Sequence, residues 1–298
     1  MKRNVVTILA ALAVLLFSYS TAQAEAIPQT PELEAKNVLL VRLTEDLNTA
    51  QILYDKSSEE LIYPASTLKM LTALTALDIV DTDEKAWVGL EQFLVPYDSS
   101  RAGLHIPMRL SVRDLLEGLL LPSGADAAYT LAAFCGKRLS GDKIESPSEE
   151  IQYFVDAMNR KAASLGAEHT TVINVDGYDA QGQMSTAQDI LVIAQAFLKQ
   201  PVLAEICAMP QAELDGGPGP AITVRNSNEL LHEKSGYYNK DVNGIKTGTT
   251  SLAGSCLVSS FDVQGGKYIC VLMNSNYDSR YADTWKLYKM CCSEFVPE

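Results

Sequence analysis

The sequence predicts an α+β fold: an antiparallel sheet flanked by helices and built from both ends of the chain, with an all-helical part inserted between them. Three observations predict it. Strand-like segments gather near the two ends, helical periodicity dominates the middle, and Gly216-Gly217-Pro218-Gly219-Pro220 breaks the chain where one pattern yields to the other.

In chain order, Val38–Arg42 and Ala50–Tyr54 read as short strands joined by the polar turn Thr44–Asn48. Pro64 precedes a leucine- and alanine-rich helix over Ser66–Val80. Val112–Leu120, Ala125–Leu139, Glu149–Leu165 and Thr186–Leu198 follow as helices. Past the break come strands Ile222–Val224, Gly244–Lys246, Ser255–Phe261 and Lys267–Asn274, the last two joined by the hairpin turn Gln264-Gly265-Gly266. Arg280–Phe295 closes the chain as a helix. The expected division is a sheet part at about 36–80 and 215–298 and a helical part at about 81–214, within one domain over 25–298.

Residues 1–24 stand apart. Lys2 and Arg3 precede an apolar run, Val5–Phe17, and Ala22-Gln23-Ala24 offers a small-residue cleavage site, the pattern of a secretory signal. The run is short for a membrane span, which needs about 20 apolar residues. The expectation is therefore an exported protein, in the cell envelope or secreted, that meets the membrane only if this segment stays uncleaved.

The length, 298 residues, suits one large domain or two intimately joined ones. A net charge of −13, spread along the chain, excludes a nucleic-acid partner, which demands a basic footprint. Six cysteines include no C-x-x-C pair, and the three histidines (His105, His169, His232) are far apart, so neither a metal nor another cofactor is expected. Cys256 and Cys270 fall on neighbouring strands, and the sequence leaves open whether they pair or stay as buried thiols.

Three segments carry candidate chemistry. Ser66-Thr67-Leu68-Lys69 sets a hydroxyl and an amine at i and i+3 on one helical face, directly after Tyr63-Pro64-Ala65. Serine is a weak nucleophile until a neighbouring base takes its proton, and a lysine kept from water can serve. At a helix start, backbone N–H groups also favour developing negative charge. The spacing alone is weak, because Ser140-Gly141-Asp142-Lys143 repeats it in what reads as a loop. Lys246-Thr247-Gly248, ending a strand and followed by Thr249, could hold a carboxylate, with Gly248 allowing close approach to the backbone. Ser123-Gly124 follows Pro122, where a simple helix cap would also explain it. The order and local settings of all three suit one constellation.

The chain resembles the serine D-Ala-D-Ala carboxypeptidases, the low-molecular-mass penicillin-binding proteins, over roughly Val38–Phe295. The resemblance is carried by Tyr63–Thr72, Val112–Ala128, Gly182–Ile190, Asn226–Leu231, Gly244–Gly254 and Arg280. It implies a β-lactamase/transpeptidase-like fold and an attack by Ser66 on a peptidoglycan stem peptide ending in D-Ala-D-Ala. Lys69 would take the proton, and the N–H groups of Ser66 and Thr249 would hold the oxyanion. Ser123 would relay a proton to the departing D-alanine, while Lys246, Thr247 and Thr249 bind the terminal carboxylate beside Gly248. β-Lactams would act as inhibitors by acylating Ser66.

The chain departs from the family pattern at Ala125, where the family has an Asn that bonds the helix lysine and the substrate. Tyr237-Tyr238-Asn239 has the look of a variant motif but lies close before Lys246, and it reads as a loop. A slowed carboxypeptidase is the expectation. The alternatives are a weakly active or inactive cell-wall-binding homologue, and a β-lactamase. The latter lacks its added carboxylate base, the corresponding stretch reading Asn174-Val175-Asp176-Gly177.

Overall fold

The computed structural model describes residues 31–293 except 46, 48, 142–145 and 218. The expected signal segment, 1–24, lies outside the described residues. The strands are β1 (Asn37–Leu43), β2 (Ala50–Lys56), β3 (Lys85–Trp87), β4 (Arg109–Ser111), β5 (Gln211–Leu214), β6 (Ile222–Arg225), β7 (Val242–Thr250), β8 (Gly254–Val263) and β9 (Gly266–Ser275). The helices are α1 (Lys69–Leu77), α2 (Val112–Leu120), α3 (Ala125–Ser140), α4 (Pro147–Leu165), α5 (Ala187–Leu198), α6 (Pro201–Ala208) and α7 (Tyr277–Ser293).

Five strands form one antiparallel sheet in the order β2-β1-β9-β8-β7. Its three inner strands, β1, β9 and β8, are buried on both faces, and the two-residue side-chain period sorts their residues into two cores. On β1, Leu39 and Val41 enter one core while Val38 and Leu40 enter the other. On β9, Ile269, Val271 and Met273 alternate in the same way with Tyr268, Cys270 and Leu272. The first core is shared with α1 to α6, and the second with Tyr281, Leu287 and Cys291 of α7. A one-residue slip of β1 or β9 would exchange the two sets, so packing fixes the register.

Helix α1 is buried on every side from Lys69 to Ala76, as its nearly continuous apolar sequence requires. Helix α2 starts with a capping box, in which the Ser111 hydroxyl accepts from the Asp114 N–H at 3.0 Å and the Asp114 carboxylate accepts from the Ser111 N–H at 3.1 Å. Among the described residues, no single helix is long and apolar enough to cross a membrane.

Several expectations need correction. Ser66 sits in a 3-10 turn, Ala65–Leu68, and the α-helix begins only at Lys69 and ends at Leu77. The strand Ile222–Arg225 pairs with Gln211–Leu214 in a separate two-stranded sheet. Lys246 and Thr247 lie inside β7, which continues to Thr250 rather than ending at Lys246. At the cysteines, where the sequence leaves pairing open, the structure has six free thiols. In the register of β8 and β9, Cys270 faces Ser259, which keeps Cys256 and Cys270 apart. Burial pushes the Cys256 thiol up to about 11 and the Cys207 thiol up to about 12.

Candidate active site

The site forms where the 3-10 turn and α1 meet β7, the loop before α3 and the loop after α4. Lys69, at the first turn of α1, is 2% exposed. Its Nζ donates to Ser66 Oγ at 2.9 Å and to the backbone carbonyl of Asp176 at 2.6 Å. The i, i+3 spacing thus brings amine and hydroxyl together, although through a 3-10 turn. Ser66 itself remains partly exposed and lines a cavity of about 140 Å³ with Lys69, Ser99, Ser100, Asp176, Tyr178 and Thr249.

The loop Asn174–Tyr178 is pressed against this turn. Gly177 has φ +83°, and a Cβ there would stand 1.9 Å from the Ala65 carbonyl oxygen, so only glycine fits. Ala65 itself adopts φ +47°, a costly conformation for a residue with a side chain. The loop is pinned from both sides. Thr72 Oγ1 donates to the Val175 carbonyl at 2.7 Å, and the Gln183 amide donates to the Tyr178 carbonyl at 2.7 Å.

Lys246 on β7 is 1% exposed and donates to the Thr247 carbonyl at 3.1 Å. Thr247 Oγ1 shares a 2.6 Å hydrogen bond with Ser227 Oγ. The Ser227 N–H in turn donates to the Leu121 carbonyl at 2.9 Å, tying β7 to the segment that leads into Ser123. Thr249 Oγ1 accepts from Arg280 Nη1 at 3.2 Å, and that guanidinium also reaches the Gly248 carbonyl at 3.3 Å. Arg280 therefore supports β7 from α7.

Ser123 is no helix cap. It has φ +65°, precedes the N-cap Gly124, and its buried Oγ makes no hydrogen bond among the described residues. A strained serine with a buried, unused hydroxyl is costly unless the hydroxyl has work to do. Ala125 is wholly buried, and its N–H donates to the Ser100 carbonyl at 2.7 Å. Asp126 beside it accepts four backbone N–H groups, from Ala102, Gly103, Leu104 and Ala127, at 2.8–2.9 Å.

Burial holds the Lys69 amine below its ordinary range, with the Asp176 and Asp126 charges pulling it back up. Lys246 is pushed well below the ordinary lysine range, first by burial and then by Lys69 and Arg280. The two lysines differ in their surroundings, since the Asp176 and Asp126 charges oppose the effect of burial on Lys69 while Lys69 and Arg280 add to it on Lys246. A buried amine of lowered pKa, bonded to a half-exposed hydroxyl, can accept the hydroxyl proton during nucleophilic attack.

The decoy motif is not part of the site. Ser140, on the last turn of α3, donates to the Lys137 carbonyl at 2.8 Å and is not among the cavity residues, while Lys143 lies outside the described residues. Tyr237 is spent on Asp278, at 2.7 Å, and Asn239 caps a local turn through Asp241 N–H.

A family model described as D-alanyl-D-alanine carboxypeptidase matches residues 23–277. The chain belongs to the D-alanyl-D-alanine carboxypeptidase family. Members similar to it include DacB2 of Mycobacterium tuberculosis, 34% identical over 230 residues, 76% of this chain and 72% of the relative. DacF of Bacillus subtilis is 28% identical over 301 residues, 99% of this chain and 72% of the relative. Among solved structures, the Streptomyces K15 DD-transpeptidase matches with TM-score 0.76 at 26% identity, covering 87% of this chain and 97% of the other. Penicillin-binding protein D2 from Listeria monocytogenes, in its ampicillin-bound form, matches with TM-score 0.69 at 25% identity, covering 87% of this chain and 98% of the other. This carboxypeptidase is accordingly a serine hydrolase with the penicillin-binding fold.

Sequence reasoning alone missed Asp176, Ser99, Ser100 and the tether Ser227. An Asn-x-x-Gly turn signal at Asn174–Gly177 could have drawn attention to the first. The others reach the site only through tertiary packing.

Proposed function

We propose that the chain removes the terminal D-alanine from peptidoglycan stem peptides ending in D-Ala-D-Ala, outside the cytoplasmic membrane. The observation that carries this reading is the 2.9 Å bond between the buried Lys69 amine and Ser66 Oγ. Ser66 Oγ bonds to the carbonyl carbon of the penultimate D-alanine as its proton passes to Lys69 Nζ. The N–H groups of Ser66 and Thr249 hold the oxyanion. The peptide C–N bond then breaks, and the departing amine takes a proton through Ser123. Thr247, Thr249 and Lys246 bind the terminal carboxylate where Gly248 leaves the backbone open. Water hydrolyses the ester and frees Ser66. A β-lactam, whose strained amide resembles the same terminus, acylates Ser66 and stays.

Timed release of D-alanine from a stem pentapeptide tests the reading. Release that depends on Ser66 is expected. No release alongside normal β-lactam acylation would overturn it in favour of a cell-wall-binding homologue.

A further inference from the structure

Asp176 supplies an acceptor to the Lys69 amine through its backbone. Its carbonyl accepts from Lys69 Nζ at 2.6 Å and lies 3.5 Å from Ser66 Oγ. The residue is as buried as Lys69, at 2% exposure, and it lines the same cavity as Ser66. The carboxylate is held by the Ser99 hydroxyl and by the Tyr178 N–H, each at 3.3 Å. Two long bonds are modest support for a carboxylate with about four acceptor positions. Asp126, the other acidic group near Lys69, is already engaged by four backbone N–H groups.

We propose that Asp176 is a positioning residue for acylation: its carbonyl aims the Lys69 amine at Ser66, and its carboxylate governs how firmly that amine holds a proton. The proposal rests on Lys69 being the base. Lys69 of α1 faces Asp176 from the loop after α4, Asp126 from α3 and Lys246 from β7. Tyr129 of α3 feels the Asp176 charge, and Asp98, Tyr178 and Asp179 line the cavity beyond. Of these, Asp176 is the strongest charge opposing the effect of burial on Lys69. Removing a negative charge favours the neutral amine, so the base form survives to lower pH.

The test is the second-order rate of acylation by a chromogenic β-lactam, followed from acid to neutral pH on the full chain. In Asp176→Asn the backbone carbonyl and the side-chain volume remain while the charge goes. Its acid limb should move down by about half to one pH unit. Asp176→Glu, which keeps the charge, should return the limb toward that of the parent. Should the Asn variant fail to fold, Asp176→Ser fits the same space and carries the same expectation. An unmoved acid limb in a folded variant overturns the proposal, as does a variant in which acylation is unchanged and only hydrolysis of the acyl-enzyme slows. Lys69→Arg separates the two readings. If it acylates normally, the base assignment has failed; if it does not and the Asp176→Asn limb stays put, only the role of Asp176 has failed.

Discussion

A Cβ added to Gly248 would stand 3.0 Å from the backbone nitrogen of Ser66, so β7 and the turn carrying Ser66 meet with no room for a side chain. That nitrogen is half of the proposed oxyanion hole, and the other close neighbours are the Ala65 methyl and the Thr67 nitrogen, at 3.0 and 3.2 Å. None of these is the end of a flexible side chain. Gly248→Ala should therefore push the turn away from β7 by a few tenths of an ångström. Misplacing reacting groups is expensive, and acylation by penicillin should slow by about tenfold to a hundredfold. The stability loss should stay within ~1–3 kcal/mol, the usual range for one extra methyl in a packed site. Stopped-flow acylation and thermal melting check both. An unchanged acylation rate would show that the turn yields without consequence to Ser66.

Penicillin should add once to the protein, and digestion should place the adduct on the peptide containing Ser66. Lys69→Arg keeps the positive charge but offers a group that cannot deprotonate at working pH. Its acylation rate should fall by about 10²–10⁴, the usual contribution of a general base. Adducts on Ser123 or Ser140 would overturn the nucleophile assignment. Normal acylation of Lys69→Arg would move the base role to another group, with Lys246 the first to test.

The strands and helices that follow from local pattern were legible in the sequence. The apolar runs of β1, β9 and α1 write their burial directly, and the structure returns those segments within a few residues. What depends on distant partners was less legible. The pairing of β6 with β5 rather than with the main sheet is a tertiary choice, as is the extension of β7 through Thr250 along β8. The same division holds in the site. Ser66 and Lys69 are neighbours in one turn, so their spacing announces them. Asp176 lies 107 residues from Lys69 along the chain and arrives through a loop whose fit against Ala65 depends on Gly177. Ser123 was visible as a residue, but its left-handed backbone and a hydroxyl without a partner among the described residues were not.

Lys246 makes a prediction about stability. Its amine is held well below the ordinary lysine range by burial, Lys69 and Arg280. A base whose folded pKa is lowered binds fewer protons folded than unfolded in the interval between the two values. Stability then rises with pH from the lowered folded pKa up to the ordinary lysine value, about 10.4. Below that interval the full penalty of burying the charge applies. Lys246→Met removes the titrating group and nearly keeps the volume, so the variant should be more stable at neutral pH. The difference should shrink as pH climbs toward the unfolded lysine pKa. Denaturant titrations at several pH values check the slope. A Met variant less stable than the parent at neutral pH would mean that Lys246 contributes more through its bond to Thr247 than burial costs it.

The last prediction concerns Ala125, the first residue of α3, wholly buried beside a backbone N–H that already serves the Ser100 carbonyl. Asparagine here would add a carbonyl that can accept from Lys69 and an amide that can donate to the substrate. One hydrogen bond is worth about 0.5–1.5 kcal/mol net, or about 1.5–3 with a charged partner. At about 1.4 kcal/mol per tenfold in rate, the handicap expected from alanine is roughly tenfold to a few hundredfold in turnover. Ala125→Asn should recover part of that on a D-Ala-D-Ala peptide, with Ser66 still the acylated residue. The larger polar side chain must enter a packed interior, so stability should fall by ~1–3 kcal/mol at the same time. Rate and stability thus move in opposite directions, which separates a catalytic gain from a general improvement in folding. The Asp176 carbonyl at 2.6 Å from Lys69 supplies the competing outcome. If turnover stays level or drops in a folded Ala125→Asn variant, the lysine already has the acceptor it needs, and the site works with alanine at this position.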